Sequence, residues 1–255
     1  MRRPLLALSL IGLGGSALAI DHNNIDSGRP LRFDDAYSIA YRERAMEFGL
    51  SLDTFRRKAA SYGFQAEYKF GFAKNQDIGI AFHPSYEGSE KRFDVGDVEL
   101  SYFHGIRREI DNAPALAYRV DVGLPTGRDS RGLDVRLRGI ATKALGQYDK
   151  LHLNLDLGLA VDAHEDERNV TFGAILGYST PLGYPKRFDQ TLVAELALQQ
   201  SALKGEGYTG TVGVGLRKQV GVRSVFDIGL ESDLFSTKGA SKSPLRLAIG
   251  YSIGF

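Results

Sequence analysis

Cysteine is absent from this 255-residue chain. That removes disulfides, thiolate metal ligands and cysteine nucleophiles together, and it suits passage through an oxidising compartment. Histidine is scarce, and His22, His83, His104, His152 and His164 show no H-x-x-x-H or related ligand spacing. No serine sits in a G-x-S-x-G elbow, and His152 lies on the same strand as Asp156 without a serine partner, so no Ser/His pair assembles for an enzyme acting on lipid. Gly213-Val214-Gly215 lacks the third glycine of a dinucleotide fingerprint and falls mid-strand, where small residues let an enclosed space taper. No catalytic residue, cofactor or metal is expected. Charge of one sign is not in excess either: 32 Lys and Arg face 31 Asp and Glu, interspersed along the chain, which removes the electrostatic footprint of a nucleic-acid partner. Beyond the first residues there is no apolar run long enough for a transmembrane helix, so any crossing of a bilayer has to be made by strands.

The one compact apolar stretch is at the start. Arg2 and Arg3 precede Leu5 to Leu13, followed by small residues and Ala17-Leu18-Ala19, the layout of a secretory signal cleaved after residue 19. Residues 20–44 follow as a polar leader rich in turn formers and containing Asp34-Asp35-Ala36-Tyr37. The leader reads either as a small plug folded into a lumen or as a disordered periplasmic segment.

From residue 45 onward, apolar residues recur at every second position, the period of a strand rather than a helix. Met46, Phe48, Leu50 and Leu52 alternate with Glu47, Gly49, Ser51 and Asp53. Phe64, Ala66, Tyr68 and Phe70 alternate with Gln65, Glu67 and Lys69. The pattern returns at Ile78 to Phe82, Val98 to Tyr102 and Leu116 to Val122, and weakly at Val135 to Arg138. It is cleanest where Leu151, Leu153, Leu155, Leu157, Leu159 and Val161 alternate with His152, Asn154, Asp156, Gly158 and Ala160. Further strands are expected at Val170 to Tyr178, Leu192 to Leu198, Tyr208 to Leu216, Val225 to Ser232 and Leu245 to Phe255. About twelve strands of roughly ten residues is an even number and a bilayer-spanning length. Mean hydropathy of −0.20 does not conflict, because such a wall presents only alternate residues to lipid. Unpaired backbone groups in hydrocarbon cost several kcal/mol each, so the sheet has to close. The expected fold is therefore all-β, a transmembrane antiparallel up-and-down β-barrel spanning 45–255.

Short and long joins alternate as periplasmic turns and extracellular loops should, from the tight Ala73-Lys74-Asn75-Gln76 to the charged stretches Pro84 to Phe93, Gly123 to Gly132 and Asp233 to Ser243. The eighth join, Pro181 to Gln190, is too long for its side. His164-Glu165-Asp166-Glu167 falls in an outer loop and reads as solvated charge, with a divalent cation or lipopolysaccharide as the alternative ligand.

A charge near the bilayer midplane would cost about 2–4 kcal/mol on the lipid side, so the charged strand residues are expected to line the lumen. These are Glu47, Glu67, Lys69, Asp97, Glu99, Arg119, Asp121, Arg136, Arg138, Asp156, Glu195, Arg217, Asp227, Glu231 and Arg246. They read either as a polar pore or as a filled interior of mutually satisfied ion pairs. The chain ends on Tyr251-Ser252-Ile253-Gly254-Phe255, which resembles the C-terminal strand signal read by the outer-membrane assembly machinery through Tyr251, Ile253 and Phe255.

The order of signal, leader, Asp34-Asp35-Ala36, Met46-Glu47-Phe48-Gly49-Leu50 and Tyr62-Gly63-Phe64 resembles the outer-membrane family labelled for the meta-pathway of phenol degradation. So does the strand closing on Leu124-Pro125-Thr126-Gly127. The resemblance implies a Gram-negative outer-membrane channel or transporter for small aromatic or other hydrophobic solutes. Its surroundings would be outer-membrane lipid and lipopolysaccharide, and it transfers no ligand-contacting residue. Two other readings stand beside it: a sealed structural or interaction barrel, and a lipid-modifying barrel enzyme.

Overall fold

The computed structural model describes residues 21–22, 24–25, 28–55, 59–128, 130–183 and 188–255. The expected signal peptide, residues 1–19, lies outside them. Among the described residues, alternating apolar and polar positions produce fourteen strands in one antiparallel sheet: β1 (Arg44–Thr54), β2 (Ser61–Ala73), β3 (Gln76–Phe82), β4 (Ser85–Glu87), β5 (Arg92–Asp94), β6 (Val98–Arg107), β7 (Ala115–Leu124), β8 (Asp134–Leu145), β9 (Asp149–Ala160), β10 (Val170–Leu182), β11 (Gln190–Gln200), β12 (Tyr208–Gly221), β13 (Ser224–Ser236) and β14 (Leu245–Gly254). Twelve form a barrel wall. The remaining two, β4 and β5, are a short hairpin that continues the sheet from the first residues of β2, Ser61 to Gly63, within the join expected to be a loop. Each wall strand pairs with its neighbour in sequence. The ring closes where β1 meets β14, in register from Ala45 opposite Gly254 to Thr54 opposite Leu245. No sheet edge is left in the wall, as hydrocarbon surroundings require.

Several strands run further than the alternation alone indicates. β12 continues through Lys218 and Gln219, and β13 reaches Ser236, so the last join is residues 237–244. The rims of the wall project past the apolar band, where outward residues turn polar and the contrast between faces fades. The weak signal in β8 has a different cause. Arg136 and Arg138 point inward as charges, but the next inward residue is Ile140, buried with Ala36, Phe103, Ala115 and Ala117. Its outward neighbour Gly139 contributes no side chain, so the polarity pattern inverts within one strand.

The oily face is on the outside. Leu50, Ile78, Phe82, Leu155, Phe172, Leu196, Leu234 and Phe255 are exposed, whereas the fully buried side chains include Arg217, Glu47, Glu67, His152 and Asn154. This is a soluble protein turned inside out, with its apolar surface left for acyl chains. Both chain ends of the wall, Arg44 and Gly254, lie at one rim, called here the terminal end. The turns at residues 74–75 and 222–223 lie there too, as do the joins after β6 and β10, and most of the longer joins, including β4 and β5, crown the opposite end.

Candidate functional site: the occupied lumen

The inward charges are gathered into ion pairs. Glu47 and Glu67 face one another across β1 and β2, and Lys69 Nζ lies 3.0 Å from Glu47 and 3.7 Å from Glu67. Arg119 reaches Glu67 at 3.3 Å, Glu99 at 3.8 Å and, through Nε, Asp121, whose second oxygen lies 2.8 Å from Arg136. Arg138 grips Asp156 with two parallel bonds of 2.6 and 2.8 Å. Arg217 lies 3.8 Å from Asp227, and Arg246 pairs with both Asp53 and Glu231. Unpaired, each of these groups would pay several kcal/mol for leaving water; in forked, reciprocal pairs the cost is largely offset.

Asp97 differs from the expectation. It precedes β6 in the join rather than lining the lumen, and its Oδ1 accepts bonds from Thr126 N at 3.1 Å, Gly127 N at 2.7 Å and Ser130 Oγ at 2.6 Å. The reason is local: the Thr126 and Gly127 amides lie beyond the β7 ladder, and a carboxylate across the rim satisfies them. Glu99, Arg136 and Arg246 are only partly buried and border open space.

The lumen is not empty. The described leader residues, 21–22, 24–25 and 28–43, run from the terminal end through the middle of the barrel and back to β1. His22 is braced at the rim: its N bonds Gln219 at 3.0 Å, its Nδ1 meets Thr191 at 2.7 Å and its Nε2 meets the Phe188 carbonyl at 3.0 Å. Phe188 belongs to the long eighth join and also meets the His22 ring in a T-shaped arrangement, so that join contacts the leader. Deeper in, Arg29 bonds Glu47 at 2.8 Å, the Phe48 carbonyl at 2.8 Å and Ser252 at 3.0 Å. Arg32 gives its backbone N to Glu195 and its guanidinium to Glu231 and Gln199. Asp34 exchanges two bonds with Asn154 and accepts from Arg138 Nη1 at 2.9 Å. The return leg bonds Thr142 through Ala36 N and Asp77 through Ile39 N, then pairs with Gly71 at the rim. The loop is pinched at its base, since the Asp35 carboxylate accepts from both Ile25 N and Tyr37 N.

Glycines make room for this segment. Leu31 lies over Gly213 and Pro30 over Gly215, so these positions fit the leader rather than a simple taper. A Cβ on Gly229 would come within 2.2 Å of the Pro30 carbonyl oxygen. Around Leu31 and Phe33, the inward residues Ile175, Val193 and Ala197 form an apolar cluster, separate from the one around Ile140 and Ala36. Open space remains on both sides. A cavity of about 550 Å³ at the terminal end is lined by Tyr37, Tyr41, Lys74, Arg107 and Arg108. At the other end, cavities of about 500 and 200 Å³ are lined by Arg32, Gln65, His83, Glu99, Arg136 and Arg246. Residues 28–40 lie between the two vestibules.

The remaining residues of interest sit elsewhere. His152 is buried between Thr142 and Ser179. His104 meets Tyr118 on the outer wall, within an aromatic group that includes Tyr102. His164 and Glu167 close a turn on each other, and Lys204 binds the backbone of Glu165 and Asp166. Tyr251, Ile253 and Phe255 project outward, with Phe255 beside the Tyr68 ring.

No protein-family model matches the chain, and no curated protein does. Solved structures do. An outer membrane channel from Pseudomonas putida F1 superposes with a TM-score of 0.68 at 15% identity, covering 91% of this chain and 100% of that one. The NanC porin gives 0.58 at 9% identity, covering 82% and 98%. The translocator domain of the autotransporter NalP from Neisseria meningitidis gives 0.50 at 12% identity, covering 84% and 88%. The shared property is the outer-membrane barrel fold.

Proposed function

We propose that this protein is a channel of the Gram-negative outer membrane that admits small solutes, aromatic or other hydrophobic ones included, and that residues 28–40 close it until the leader withdraws. The observation that carries this reading is the leader's position between two open vestibules, held by side-chain contacts rather than by a strand of its own. Those contacts are exchangeable. Water can replace each bond from leader to wall, while Lys69 with Glu47, Arg119 with Asp121 and Arg138 with Asp156 keep the vacated wall satisfied. A twelve-stranded wall is wide enough for a solute path and too narrow for a general porin. The similarity to a channel and a porin supports the reading at the level of fold.

The terminal end faces the periplasm in this proposal and the longer joins face outward, after export by the residue 1–19 signal. Outer-membrane lipid and lipopolysaccharide cover the apolar wall, and the outward strip of Tyr251, Ile253 and Phe255 serves the assembly machinery. Membership of the phenol-pathway family belongs to the same proposal and is supported by the Leu124-Pro125-Thr126-Gly127 turn. The second reading, a permanently sealed barrel, is favoured by the leader's closure of the lumen. Planar-bilayer recording separates the two. The whole chain should show brief, infrequent steps, and a chain lacking residues 22–40 should show long-lived conductance. Silence from both would establish the sealed barrel.

A further inference from the structure

The leader presses an aromatic ring and a carboxylate, from adjacent residues, onto a bed that belongs to the barrel wall. Phe33 is wholly buried. Its ring lies flat over Gly177, where a Cβ would approach it to 2.5 Å, and packs against the His152 imidazole with centroids 5.0 Å apart and planes at 36°. Ile175 and Val193 complete the slot. One residue on, Asp34 reaches Arg138 Nη1 at 2.9 Å.

The bed does not depend on the leader for its shape. His152 is fixed between Thr142 at 3.1 Å and Ser179 at 3.0 Å, and it stands opposite Gly177 in the β9 and β10 register. Arg138 is fixed from its other side by the two bonds it donates to Asp156. Withdrawal of the leader would therefore leave a preorganised flat slot beside a guanidinium with a free donor. Preorganised polar groups next to a dry apolar surface are what small-molecule sites are made of.

We infer that this bed is the solute site, and that its ligand is an organic anion carrying a flat apolar ring, an aromatic carboxylate being the simplest. Phe33 and Asp34 occupy the site in the closed barrel as an internal competitor. This rests on the channel reading above and specifies its solute. A neutral ring fills the slot and leaves the Arg138 donor facing nothing; a small inorganic anion meets the donor and leaves the slot wet.

The test uses the full chain in detergent, with sodium benzoate and benzyl alcohol as probes. Phe33→Ala together with Asp34→Ala empties the slot and frees the Arg138 Nη1 donor that met Asp34, leaving only the bond to the Arg32 carbonyl, and titration calorimetry should then find benzoate bound roughly tenfold more tightly than benzyl alcohol, the scale of one charge-assisted bond. Phe33→Ala alone keeps Asp34 on Arg138 and should reverse the preference. An identical preference in the two variants overturns the proposal. A second measurement leaves the bed unaltered. Because the chain has no cysteine, Leu31→Cys places a unique thiol at a buried leader position, and benzoate should raise its maleimide labelling rate several-fold over benzyl alcohol. Equal rates overturn the competitor role. Benzoate binding in a barrel that never conducts would sink the transport reading and keep the site, whereas conductance without a benzoate preference would do the reverse.

Discussion

Arg138 shows how much one inward charge can hold. Its guanidinium joins Asp156 of the wall to Asp34 of the leader and also donates to the Arg32 carbonyl, so a single side chain ties β8, β9 and the leader together. With its side chain only 4% exposed, removal leaves two carboxylates facing each other away from water. Arg138→Ala should therefore destabilise the closed barrel by about 3–5 kcal/mol, the usual result of orphaning a buried ion-pair partner. Urea titration of the protein in lipid vesicles measures the loss. Arg138→Lys should recover only part of it, because an ammonium cannot make the forked contact with Asp156. Phe33 and Gly177 make the complementary point: a glycine in the middle of a strand is a defect in β1-to-β14 terms and a necessity once a ring lies on it.

Among the elements, the joins are where local chemistry overrides periodicity. The Leu124-Pro125-Thr126-Gly127 turn is held at a distance by Asp97, and Thr126 Oγ1 returns a bond by accepting from Val98 N at 2.9 Å. Asp97→Ala releases three bonds worth about 0.5–1.5 kcal/mol each, so residues 125–133 should become protease-sensitive while β7 and β8 keep their register. Asp94 supports the same rim: the amides of Gly96 and Arg128 on its carboxylate hold its pKa below the ordinary value of 3.8. A depressed carboxylate contributes stability that is present above the ordinary value and lost as pH falls through the lowered one. Protection of the 125–133 join should then be the same at about pH 7 and about pH 5 and fall only in stronger acid, a profile that limited proteolysis can follow.

At the scale of the whole molecule, an inverted distribution of polarity holds the barrel in place. Leu155 is 54% exposed in the middle of β9, and Leu155→Arg should cost about 2–4 kcal/mol in a bilayer if that face meets acyl chains at depth. Folding into vesicles across a urea series checks this, and a variant as stable as the parent would place Leu155 outside the hydrocarbon. The lumen completes the picture, since the wall supplies one half of each leader contact and the leader the other.

The twelve wall strands and their facing follow from residues 45–255 alone, because a period of two in polarity is a local property that survives without knowledge of any neighbour. So does closure, which hydrocarbon surroundings impose on any such sheet. The sense of the leader could not be read that way. Arg29, Arg32, Phe33 and Asp34 carry no periodicity, and nothing in a polar stretch tells whether its charges meet water or Glu47, Glu231 and Arg138 across the barrel. Those partners lie from 18 to 199 residues away along the chain. Only the closed wall brings them within reach, and the same closure decides that Gly177 is a seat for a ring, that Asp97 caps a turn and that the eighth join braces His22.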